Sequence, residues 1–164
     1  MERQLKAVDR EERKELYIMK ILVDADACPV KNIIVATAKE FKIDVMMFID
    51  TSHVLDDGYS RVITVDKAKD SVDIALANKV EKNDIIVTQD YGVAAMVLPK
   101  SKNVINQNGF IYNVANIDRL LFERHMSAKV RRSGGKTTNA KKRTQEDNIK
   151  FQVAFRELCN GVTT

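Results

Sequence analysis

"ILVDADACPV", residues 21–30, decides how the rest of the chain reads. A β-branched apolar run ends at Asp24, passes one alanine and reaches Asp26. A short continuous apolar run of this kind suits a strand covered on both faces of a parallel sheet. Pro29 then opens "PVKNIIVATAKEF" as a helix, whose first position favours proline. Two acids just beyond a core strand mark either a turn or the rim of a cation site.

Outward from this stretch the strand and helix signals alternate. "IDVMMFI" (43–49), "RVITV" (61–65), "DIIVT" (84–88) and "NVIN" (103–106) are strand candidates, and "DSVDIALANKV" (70–80) and "YGVAAMVL" (91–98) are helices. Beyond Asn116 the pattern is helix alone: "NIDRLLFERHMSAKV", a basic linker "RRSGGKTTNAKKR", and "TQEDNIKFQVAFRELC". Thr144 caps the last helix with Asp147 in the reciprocal position. Phe151, Ala154, Phe155 and Leu158 form its core-facing stripe. The expectation is a three-layer α/β sandwich, with a mostly parallel sheet of about five strands and added C-terminal helices. It forms one domain over residues 18–164, with the basic helix and linker at 116–143 and the last helix at 144–160. Residues 1–17 read as a charged helical extension.

Composition narrows the function classes. The chain is 45% hydrophobic and 30% charged, ordinary for a globular protein. No apolar run approaches the roughly 20 residues of a membrane span, and the charged N-terminus is no secretory signal. Cys28 and Cys159 form neither a disulfide framework nor a zinc spacing, which points to a reducing, cytoplasmic setting. The net charge of +4 is unevenly spread. Residues 18–118 carry eleven bases and fourteen acids, whereas residues 119–143 carry nine bases against the single acid Glu123. An acidic body with one strongly basic segment suggests a polyanionic partner. Arg124, Lys129, Arg131, Arg132, Lys136, Lys141, Lys142 and Arg143 are the candidates to track a phosphate backbone; a solvated helix end and linker is the plainer reading.

Ligand sites in open parallel sheets lie outside the carboxyl ends of the strands. Asp24 and Asp26 follow the first strand and Asp90 the fourth, while Asp70 and Asp73 begin the helix after the third. Together they form a candidate site for Mg²⁺ or Mn²⁺, which prefer hard oxygen donors. Each acid also has a structural reading: Asp70 as a helix cap, Asp73 at the positive helix end, Asp26 in an Asx turn. His53 and His125 lack ligand spacing and are assigned no metal role. Cys28 reads as a small buried residue, and Tyr59 and Tyr91 as packing residues before base-stacking ones. "SGGKTT" (133–138) fails as a P-loop, because Val130 stands where the first glycine is needed and no strand precedes it.

"DADACPV", "KDSVDIALAN", "DIIVTQDYGVAAMVL" and "NIDRLLFERHMSAKVRRSGGKT" together resemble the bacterial YaiI/YqxD family (uncharacterised protein family 0178), whose shared region is called domain of unknown function 188. The resemblance runs from about Ile21 to Leu158 in the same order. It implies a PIN-like or NYN-like nuclease fold, with Asp24, Asp26, Asp73 and Asp90 as metal-holding acids and Asp70 nearby. The expected function is then a divalent-metal-dependent nuclease acting on RNA. A non-catalytic RNA-binding module is the alternative. A haloacid-dehalogenase-like phosphatase ranks third: "DADAC" resembles its nucleophile strand end, but the later Gly-Asp-x-x-x-Asp element is missing.

Overall fold

The computed structural model describes residues 19–68, 71–137 and 141–163. The proposed extension at 1–17 and the candidate ligand Asp70 lie outside these residues. The chain runs β1 (Lys20–Asp24), α1 (Lys31–Phe41), β2 (Asp44–Asp50), β3 (Arg61–Val65), α2 (Ser71–Lys79) and β4 (Ile85–Val87). It continues through α3 (Tyr91–Val97), β5 (Asn103–Ile105), β6 (Ile111–Tyr112), α4 (Val114–Arg132) and α5 (Gln145–Thr163).

The six strands form one sheet in the order β3-β2-β1-β4-β5-β6. All neighbours are parallel except β5 and β6. Successive strand side chains point to opposite faces, and β1 divides accordingly. Ile21 and Val23 join α1 residues Ile34 and Ala38 and α5 residues Phe151 and Phe155 in one core. Leu22 faces the other way, with Leu76 of α2, Val93 and Val97 of α3 and Ile117 of α4. Two helical layers thus enclose the sheet, which explains why its strands carry uninterrupted apolar runs. Phe151 and Phe155 stack at 5.2 Å, fixing α5 against the sheet.

Three details depart from the sequence expectation. Pro29 sits two residues before α1 and not within it, because Val30 (φ −112°, ψ 17°) is the cap. The sheet has a sixth strand, β6, only two residues long and reached through a tight turn over Asn106–Phe110. Gly109 in that turn has φ +84°, and a Cβ there would lie 2.6 Å from the Lys150 carbonyl oxygen. Finally, Arg143 is more than a linker cation. Its guanidinium donates to Asn148 Oδ1, Asn108 Oδ1 and the Gln107 carbonyl, each at 2.7 Å, so it straps the start of α5 to the β5–β6 turn. Arg143→Ala is expected to lower stability by about 2 kcal/mol, read as a shift in the urea midpoint with unchanged slope. The Thr144–Asp147 capping box forms as expected, with the Thr144 amide donating to Asp147 Oδ2 at 2.9 Å.

Candidate metal centre

The strand order reverses direction at β1 and β4, which makes the crevice beyond their carboxyl ends the favoured ligand position for such a sheet. A cleft of about 330 Å³ opens there, lined by Asp24, Asp26, Gln89, Asp90, Tyr91 and Arg124. Asp24 ends β1, and its Oδ2 accepts a 3.0 Å hydrogen bond from the Thr88 hydroxyl just after β4. The same hydroxyl oxygen accepts from the Asp90 amide at 3.1 Å. Thr88, 2% exposed, therefore sets the spacing between the two acids. Its sequence position as a strand residue gave no hint of this.

Burial pushes the Asp24 carboxyl up to about 6, with the Thr88 hydrogen bond opposing it and the charges of Asp73, Asp90 and Asp26 adding to it. Asp73 reaches this field from the first turn of α2. Asp24, Asp26, Asp73 and Asp90 are thus electrostatic neighbours. Asp90 also has structural work. Its Oδ1 caps α3 by accepting from the Gly92 amide at 2.7 Å, and it faces Arg124 Nη1 at 3.4 Å.

On the β2 side, Asp26 accepts from the Asp50 amide at 3.2 Å. His53 Nδ1 lies 3.0 Å from Asp26 Oδ1 and 3.0 Å from Asp50 Oδ1. This corrects the expectation that His53 has no ligating company. Asp26 stands 27 residues back in the chain, beyond the reach of local spacing, but Asp50 is only three residues before His53 and was within it. Asp50 was overlooked although it ends β2 as Asp24 ends β1, and the strand-end rule applied evenly would have found it.

The basic segment divides by place. Arg124 reaches the acidic cleft, whereas Lys129, Arg131 and Arg132 are exposed at the C-terminal turn of α4, where the helix dipole favours cations. Lys136 is exposed in the loop that follows. Lys141, Lys142 and Arg143 line a second hollow of about 610 Å³, and Gln89 lines both hollows. Tyr91 lines the cleft and packs edge-on against Tyr112, while Tyr59 donates to the Ile43 carbonyl oxygen at 2.6 Å. Cys28 is buried.

The profile described as "Uncharacterized BCR, YaiI/YqxD family" matches residues 22–161. The chain belongs to the YaiI/YqxD family. Among similar proteins, a UPF0178 protein of Ruminiclostridium cellulolyticum is 64% identical over 137 residues, covering 84% of this chain and 90% of its own. One from Clostridium kluyveri is 52% identical over 144 residues, covering 87% and 95%. One from Lachnoclostridium phytofermentans is 52% identical over 149 residues, covering 89% and 100%. This YaiI/YqxD member thus shares nearly the whole length of those relatives, so the cleft lies within a region common to them. No solved structure matches the chain. Among the described residues, no helix is long and apolar enough to cross a membrane.

Proposed function

We propose that this protein is a divalent-metal-dependent nuclease acting on RNA. The observation that carries the reading is the Asp24 carboxyl, pushed up to about 6 at a strand-order reversal with three other carboxylates in its field. Such a grouping is unfavourable by itself, and a Mg²⁺ or Mn²⁺ ion among hard oxygen donors would relieve it. The donor set therefore fits the group. Asp24, Asp26, Asp73 and Asp90 would hold the ion, with Asp70 three residues before Asp73 in sequence; bound there, it would acidify a water and stabilise charge on a phosphodiester. Thr88 keeps Asp24 and Asp90 in register. Arg124 stands where it can meet a phosphate at the cleft, and the hollow with Lys141 and Lys142 continues past Gln89 as a path for the polyanionic backbone.

The test is Mn²⁺ titration by calorimetry on the wild type and on Asp90→Asn, followed by RNA cleavage assays. The wild type is expected to bind Mn²⁺ and the variant at least about tenfold more weakly, with cleavage lost in parallel. A wild type that cleaves RNA equally well in excess chelator would sink the reading. One observation favours a second reading, a metal-free RNA-binding module: Asp90 already has a helix cap and Arg124 to account for it. That module would bind RNA in a salt-sensitive way, indifferent to Mn²⁺ and to Asp24→Asn.

A further inference from the structure

His53 presents an unusual demand. Its Nδ1 faces Asp26 Oδ1 at 3.0 Å, Asp50 Oδ1 at 3.0 Å and Ser52 Oγ at 3.2 Å. The Ser52 hydroxyl donates to Asp50 Oδ1, which leaves one ring nitrogen facing two carboxylate oxygens, and a single N–H can donate fully to only one of them. A cation among them would resolve the conflict, with the lone pair and both carboxylates directed at one centre. The spacing suits this. In an octahedral shell, donors about 2.1 Å from a metal and at right angles to each other stand about 3.0 Å apart. One donor atom from each of Asp26, Asp50 and His53 fits within a span of 4.8 Å.

We propose that Asp26, Asp50 and His53 hold a divalent transition-metal ion of the Mn²⁺ class, distinct from the cation attributed to Asp24, Asp26, Asp73 and Asp90, with Asp26 common to both sites. Imidazole beside two carboxylates selects this class over Mg²⁺, which prefers an all-oxygen shell. The two carboxylates balance the charge of the ion, and neutral imidazole adds the third donor. The Ser52 amide donates to Asp50 Oδ1 at 2.8 Å, which fixes the orientation of that carboxylate. The His53 side chain is 48% exposed, which leaves room for water at the remaining coordination positions. The three residues sit at the ends of β1 and β2, beside the cleft, and Asp26 borders both groups. The inference goes beyond the nuclease reading and stands without it.

Mn²⁺ calorimetry combined with pulsed electron paramagnetic resonance tests it, the latter detecting ¹⁴N coupling from a ligating imidazole. The full chain is used as wild type, His53→Gln, Asp50→Asn and Asp90→Asn. The expected result is ¹⁴N coupling in the wild type and in Asp90→Asn. His53→Gln should lose both the coupling and one Mn²⁺ per chain, and Asp50→Asn should lose the same ion. Bound Mn²⁺ with no ¹⁴N coupling, or a stoichiometry untouched by His53→Gln, overturns the site. Loss of all Mn²⁺ in Asp90→Asn also overturns it, while supporting the nuclease reading. Wild-type stoichiometry and wild-type affinity in Asp90→Asn, with coupling retained, support the His53 site and defeat the nuclease reading instead. No Mn²⁺ bound to the wild type defeats both.

Discussion

Asp24→Asn is expected to make the metal-free protein more stable near neutral pH and to cost it at least about a hundredfold in Mn²⁺ affinity. The two effects have one cause. In the folded protein the Asp24 carboxyl keeps its proton up to about 6, whereas its ordinary value is 3.8. Ionising it therefore works against folding. That penalty is absent below about pH 3.8, develops between there and about pH 6, and is fully present above. A difference of about two pH units corresponds to roughly 3 kcal/mol, an upper figure because the side chain is not wholly removed from water. Asparagine carries no charge and can still accept the Thr88 hydrogen bond through its amide oxygen. Thermal unfolding should thus show the variant gaining stability above about pH 6.5, with no difference near pH 3.5. With saturating Mn²⁺ the order should reverse, since only the wild type gains the binding free energy. For the same reason, wild-type Mn²⁺ affinity should fall about tenfold per pH unit below about pH 6, as the proton competes with the ion. A variant less stable than wild type at about pH 7.5 without metal would mean that Asp24 is a structural acid.

What the sequence made legible follows from where the physics is local. The α/β alternation could be read because strands buried on both faces carry unbroken apolar runs, and the loops between them do not. Asp24 and Asp90 could be read because each ends such a run. Asp73 followed from its place in the first turn of a helix. By contrast, Asp26 meets His53 only because β1 and β2 are neighbours in the sheet, whereas Asp50, three residues before His53, was open to local spacing. Thr88 shares that difficulty, since its hydroxyl acts between acids on different strands. Strand β6 is too short to show a period, but the Asn108–Gly109 pair ahead of it is a turn signal that was there to be used. Arg143 looked like one more cation in a basic run. Only its three hydrogen bonds distinguish it from Lys141 and Lys142.

Asp84 supplies the opposite test. From sequence it is the polar first residue of "DIIVT", unremarked beside the acids at the strand ends. In the fold it is wholly buried. Its Oδ1 accepts from the Lys20 amide at 3.1 Å, and its Oδ2 from Lys20 Nζ at 2.6 Å and the Glu81 amide at 2.8 Å. One carboxylate thus ties the amino ends of β1 and β4 to the turn that precedes β4. Another described acid near Lys20 Nζ is Glu81, whose Oε1 is 3.8 Å away and half exposed. Asp84→Ala removes a carboxylate 2.6 Å from a largely buried ammonium and the side-chain acceptor of two amides. The expected loss is about 3–5 kcal/mol, a large share of the 5–15 kcal/mol typical of a domain. Urea unfolding measures it, and a loss below about 1 kcal/mol would contradict the burial and pairing described. Mn²⁺ affinity should be unchanged in the fraction that stays folded, because Asp84 lies at the far end of the strands from the cleft. The half-buried acid that ends β1 and the buried acid just before β4 therefore respond to neutralisation with opposite signs. Asp84 accepts three hydrogen bonds at the amino ends of β1 and β4, whereas Asp24 accepts one from Thr88 and stands in the field of three other acids.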